Sequence, residues 1–198
     1  MPNFVTIGNN NSKLGHAIPN INLPPVLTCR ADAPCKHGCY ACRGNFKFPS
    51  VKNSLINNYN AFCFNRDLYF NDIATQTALN LFVRWHSSGD IINPEYLEGM
   101  CRVARKNRGT KYLAFTKKYE IVNSYLASGK RIPKNLTIVF SNWGDFKCAN
   151  PYNLPTAYVR LDNNTHIPTA AVQCNGACNS CQYCWSMKNG QSVVFDKH

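Results

Sequence analysis

KYLAFTKKYEIVNSYLASGKRIPKNLTIVFS, residues 111–141, is the stretch that decides the fold class. KYLAFT reads as a strand, KKYEIVNSYLASG as a helix closed by Gly129, and NLTIVFS as a second strand. Strands that alternate with helices imply a parallel sheet joined by right-handed crossovers. The alternation extends in both directions. Upstream, PSVKNSLINNYNAFCF has Ser50 as a cap and Val51, Leu55, Tyr59 and Phe62 at helical spacing. DLYFNDIATQTALN continues as helix and runs into the short strand LFVRWH. INPEYLEGMCRVARKNRG has Asn93 before Pro94, early acids, late cations and Gly109 at the expected left-handed stop, so it predicts a complete helix. Downstream, TAYVRLD and TAAVQC read as strands. With VLTC (26–29) the count is about six. A closed eight-fold barrel typically needs about 250 residues, so a chain of 198 predicts an α/β fold with a partial, open parallel β/α barrel. It divides into an extended arm over 1–25, the barrel over 26–173 and a cysteine-rich segment over 174–198, all in one domain.

The N-terminus has no basic segment followed by an apolar run, and no eighteen apolar residues are consecutive. A soluble, cytoplasmic protein with no membrane partner is expected. Eleven cysteines in a reducing compartment point to metal or redox chemistry rather than to disulfides. Eight of them form two knots: Cys29, Cys35, Cys39 and Cys42, then Cys174, Cys178, Cys181 and Cys184. Cys63, Cys101 and Cys148 are scattered and are expected to be replaceable. The second knot, CNGACNSCQYCW, is an uninterrupted run resembling ferredoxin ligand loops more than the separated pairs of structural zinc sites, although Trp185 stands where a ferredoxin has proline.

In the first knot Cys35, Cys39 and Cys42 have the C-x3-C-x2-C spacing of radical S-adenosylmethionine (SAM) enzymes, and Cys29, Cys35 and Cys39 offer a wider alternative. Tyr40 and Ala41 reverse the aromatic position expected before the third cysteine. Ser88-Gly89-Asp90 follows a strand and could receive the amino group of SAM, since glycine allows close backbone approach and a carboxylate accepts an ammonium. His86 and Lys117 lie at neighbouring strand ends and complete the candidate cofactor set. His37 inside the knot, Lys118, and Trp143 with Asp145 are weaker candidates.

TCRADAPC with CYACR, then VRWHSSGDI, PEYLEGM, FTKKY and the second cysteine run with a tail ending VVFDKH, together resemble the phage gene product 88 family, from about Val26 to His198. The resemblance implies that Cys29, Cys35, Cys39, Tyr40 and Ala41 form the first block, with Cys42 extra. It also implies a bacteriophage origin and a radical-SAM-like iron-sulfur protein. One or two 4Fe-4S clusters are expected, with SAM as a further cofactor and an unidentified reductant or substrate as partner. The reaction expected is reductive SAM cleavage or electron transfer. The alternative is a non-catalytic, zinc- or cluster-bearing nucleic-acid binder. The net charge of +12 favours an anionic partner. Seven Lys or Arg between Arg102 and Lys118, with no acid among them, are the expected phosphate contacts.

Overall fold

Alternate residues of the central strands go to opposite faces, and in this chain each face meets a different covering layer. In the computed structural model, which describes residues 4–9, 11–144, 146–162 and 165–196, eight strands form one open sheet. They are β1 (Ile7–Gly8), β2 (Asn20–Ile21), β3 (Phe82–Trp85), β4 (Lys111–Thr116), β5 (Leu136–Trp143), β6 (Thr156–Arg160), β7 (Val172–Gln173) and β8 (Ser192–Asp196). Their order across the sheet is β1-β2-β3-β4-β5-β6-β8-β7. Only the β1–β2 pair is antiparallel. The helices are α1 (Pro49–Phe64), α2 (Arg66–Thr77), α3 (Pro94–Lys106), α4 (Tyr119–Ala127) and the single turn α5 (Cys178–Cys181).

On one face Val83, Trp85, Tyr112, Ala114, Leu136, Ile138 and Phe140 bury against residues of α1 to α4. An aromatic cluster of Phe62, Tyr69, Phe70, Trp85 and Tyr96 fills the centre of that layer, its rings edge-on or tilted at 5.0–6.4 Å. α3 comes close enough to this cluster only because position 99 is glycine. A Cβ there would lie 2.0 Å from a Phe70 ring carbon. On the other face Leu113, Val139, Ala157 and Val193 bury against Leu14, Ile18, Trp185 and Met187. The inner side of the sheet is thus filled by the chain's own N-terminal loop and second cysteine segment.

Several expectations are corrected. The sheet has eight strands rather than about six, and it is established as an open, mostly parallel α/β sheet. VLTC is a turn, with Val26 at a left-handed φ of 69°. Within the expected extended arm over 1–25, the described residues Val5, Leu14, Ile18, Ile21 and Leu23 are buried and β2 starts the parallel sheet. α1 opens on Pro49, one residue before Ser50. α3 starts as expected, with Asn93 Oδ1 accepting the Tyr96 amide at 2.9 Å, but it ends at Lys106 with Asn107 as its cap, and Gly109 is not left-handed. Gly129 is, at φ 79°, just beyond α4. TAAVQC shrinks to the two exposed residues of β7. The tail VVFD is instead β8, inserted between β6 and β7.

Candidate metal centres

The first knot is built from three successive 3-10 turns over Pro34–Gly38, Tyr40–Cys42 and Gly44–Lys47. Cys29, Cys35 and Cys39 are half-buried and Cys42 is exposed. Cys35 and Cys39 lie within electrostatic range of Cys29, and Cys42 bonds Cys39. Burial pushes the Cys29 thiol up to about 11, and the neighbouring Val26 backbone pulls the other way. Burial also raises Cys39, opposed by the Ala41 backbone. Thr28 anchors the entry to the knot, its hydroxyl donating to the Pro24 carbonyl at 2.9 Å and accepting the Asp90 amide at 3.2 Å. The Tyr40 hydroxyl donates to the Ser87 carbonyl and fixes the knot to the end of β3.

Residues 86–90 are the support of this knot. Asp90 is buried and accepts from the Thr116 hydroxyl at 2.6 Å, the Lys117 amide at 2.9 Å and the Ile91 amide at 2.7 Å. Burial raises its pKa, and these bonds oppose the rise only in part. The Ser88 hydroxyl donates to the Leu23 carbonyl at 2.9 Å. Gly89 has a φ of 81°, and a Cβ added to it would lie 2.7 Å from both Leu23 Cβ and Thr28 Oγ1. The expected receptor for SAM is therefore engaged throughout by protein partners. Lys117 turns to the Ser141 hydroxyl at 2.8 Å and lies 5.4 Å from the Trp143 ring centroid. Asp145 lies outside the described residues.

The second knot crosses the inner face. Cys174, Cys178 and Cys184 pack there as half-buried groups, and Cys181 is exposed. The Gly176 amide donates to the Cys174 sulfur at 3.4 Å, and burial pushes the Cys184 thiol up to about 12. Trp185 pins the segment to β3, its indole N–H donating to the Val83 carbonyl at 2.9 Å. Both knots thus hang on β3 and the turn that follows it: the second at Val83 within the strand, the first at Ser87 beyond its end, after the chain turns at His86 with φ 58°. Arg84 lies between them. Its guanidinium carbon is 5.0 Å from the Phe115 ring centroid, its Nε is buried without a hydrogen-bond partner, and it forms no ion pair among the described residues. Its charge acts on Tyr40 in the first knot and on Cys178 and Cys184 in the second. Among the described residues, no three His, Cys, Asp or Glu side chains close around a point that would hold a metal ion. All eleven thiols are free.

Residues 5–166 match the family model described as gene product 88. The chain belongs to the gene product 88 family. No curated protein and no solved structure matches it. The family match ends before the second knot, so Cys174, Cys178, Cys181 and Cys184 lie outside it, whereas the resemblance read from the sequence ran on to His198.

In this gene product 88 member the sequence signals missed Arg84 and Ser87. An arginine inside the otherwise apolar run LFVRWH was the visible clue to the first. Ser87 Oγ is buried and unpartnered, and nothing in the sequence marks it. His86 was singled out, but as a cofactor group. Its imidazole is buried on the helix side, Nε2 3.2 Å from the Tyr96 hydroxyl and Nδ1 without a partner, and burial with the nearby Arg84 lowers its pKa to about 3. An unfolded histidine titrates near 6.5, so between those values the unfolded chain binds the proton and the folded chain does not. Stability is full above that range and falls as the pH drops. Urea unfolding at pH 5 should show about 2 kcal/mol less stability than at pH 7 from this group, and His86→Gln should flatten the dependence.

The basic run from Arg102 to Lys118 does not form one surface. Arg102 pairs with Asp67 at 2.8 Å and Arg105 with Glu98 at 3.2 Å on α3, whereas Lys117 and Lys118 lie beyond the far end of β4. Of the three scattered cysteines, Cys101 is fully buried, Cys148 is half-buried beside Tyr119 and Cys63 is exposed beside Tyr59.

Proposed function

We propose that this chain is a phage-encoded iron-sulfur protein on a radical-SAM-like half-barrel, with cluster sites at the two knots and a role in electron transfer. The observation that carries the reading is that Cys174, Cys178 and Cys184 pack together on the inner face, where the Gly176 amide donates to the Cys174 sulfur at 3.4 Å. Such bonds to sulfur are a means by which proteins set cluster potentials. By residue type the donor sets suit the group, each knot offering four soft sulfurs; Asp32, the one carboxylate between Cys29 and Cys42, is paired with Arg30 at 2.6 Å, and none lies between Cys174 and Cys184. Cys29, Cys35 and Cys39, with Cys42 at the rim, would hold one cluster; Cys174, Cys178, Cys181 and Cys184 would hold the other. A bound cluster would supply one-electron redox chemistry. Arg84 stands between the two sets as a fixed positive charge that no carboxylate among the described residues neutralises, and thiolate-bound iron is the anion its position favours.

Electron transfer is better supported than SAM cleavage, because Ser88, Gly89 and Asp90 are spent on holding Leu23, Thr28, Thr116 and Lys117. Anaerobically purified protein should be brown and contain iron and acid-labile sulfide. Cys39→Ser should remove the first set's share of both, and Cys63→Ser should remove neither. Zinc as the sole metal would end the iron-sulfur reading. Dithionite-reduced protein should give a paramagnetic resonance signal that SAM leaves unchanged; a shifted signal with release of deoxyadenosine would instead establish the SAM-cleaving reading.

A further inference from the structure

Positive charge also collects in a second acid-free stretch, outside the run from Arg102 to Lys118. Between Asp32 and Asp67 the chain has no acidic residue, yet it carries Lys36, Arg43, Lys47, Lys52 and Arg66. Arg43, Lys47 and Lys52 are exposed and form no ion pair among the described residues. Aromatic rings alternate with these cations. Tyr40 is 51% exposed and Phe48 57%, large values for such side chains. Tyr40 is held rigidly, its hydroxyl tied to the Ser87 carbonyl and its ring edge-on to Phe46 at 5.9 Å. Phe48 stands at the start of α1, fixed by the Pro49 that follows. The short turns Tyr40–Cys42 and Gly44–Lys47 present these groups on one continuous stretch of chain.

We propose that this segment, Tyr40 to Lys52, is a binding surface for single-stranded nucleic acid. Exposed rings on a fixed backbone offer stacking faces to unpaired bases, and every base has such a face, so the contact is tolerant of sequence. Arg43, Lys47 and Lys52 are placed to meet the phosphates between stacked bases. A duplex hides its base faces and can use only the charges. An apolar protein partner would meet cations among the rings, since Arg43 lies between Tyr40 and Phe46 in the chain and Lys47 between Phe46 and Phe48. The proposal does not rest on the metal reading.

The test uses the full chain and a fluorescein-labelled oligothymidine, with a duplex of equal length as control, followed by anisotropy over a series of salt concentrations. The single strand should bind more tightly than the duplex. Phe48→Ala should weaken it roughly 5- to 150-fold with the salt slope unchanged, and Phe48→Leu should weaken it comparably because bulk without a ring face does not stack. Arg43→Gln with Lys47→Gln should reduce the slope by about 0.7 for each phosphate contact removed. All three side chains are exposed, and circular dichroism checks that each variant is folded. Equal binding of strand and duplex, an unaffected Phe48→Ala, or no salt-sensitive binding would each overturn the proposal. Repeating the titration with Cys39→Ser separates it from the cluster reading: loss of metal with retained binding leaves the surface standing alone.

Discussion

Trp185→Ala should destabilise the fold by about 3–5 kcal/mol, the range for removing a buried large aromatic. The indole is 4% exposed, packs edge-on against Phe82 at 5.8 Å and donates to the Val83 carbonyl, while its own carbonyl accepts the Thr137 hydroxyl at 3.0 Å. Truncation would open a cavity between the second knot and the sheet, and this knot has few other anchors. Loss should therefore appear both in denaturant midpoints and as rapid proteolysis within residues 174–190. Trp185→Phe, which gives up mainly the hydrogen bond, should cost about 1 kcal/mol by the usual net value of such bonds. Wild-type stability for Trp185→Ala would mean that the cysteine segment is not packed on the sheet in solution.

Asp90→Ala should be as damaging, by about 3–5 kcal/mol, and for a different reason. It removes one acceptor that serves three buried donors, and a buried group deprived of its partner incurs its full desolvation cost. The Thr116 hydroxyl and the Ile91 amide share Oδ1, while the Lys117 amide has Oδ2. Asp90→Asn should be milder, since the retained carbonyl still serves one side, although its amide would face a donor. Both variants should lower the melting temperature before they alter any cofactor response. The sequence alone suggests Asp90→Ala as a clean test of SAM binding with the cluster left intact; the bonding makes it a test of the loop that carries the first knot. Equal melting temperatures for Asp90→Ala and wild type would refute this account.

The parts of the fold that were legible share a physical cause. β4, α4 and β5 were readable because apolar positions alternate or recur at a helical period and Gly129 closes the helix in a left-handed conformation. The start of α3 was readable because Asn93 and Pro94 satisfy or remove donors at its first turn. VLTC failed because a β-branched residue at positive φ is among the least favoured backbone states, so Val26 reads as strand by composition while the chain there turns. β8 failed because five residues beyond the cysteine run have no helix following them to mark a crossover. For the candidate site, the cysteines were legible as two groups, and so was the convergence of strand ends on Asp90, Thr116 and Lys117. That Asp90 would be fully bonded was not, since its partners come from positions 62 residues before it and 26 to 27 after it. The run from Arg102 to Lys118 is continuous in sequence but not in space, because β4 divides it.

The place of β8 has a further consequence, for how the protein is made. β7 lies at the sheet edge beyond β8, and its only pairing among the described residues is with that later strand. β8 is also the last strand in chain order, so the sheet can close around β7 only after all the other strands exist. Until then the segment of the second knot is tied down by Trp185, through Val83 and Thr137, but lacks its bond from Cys174 to Val194. In the finished fold three of its four thiols are half-covered. The docking of β8 is therefore the step that covers them, and iron delivery and oxidation compete before it.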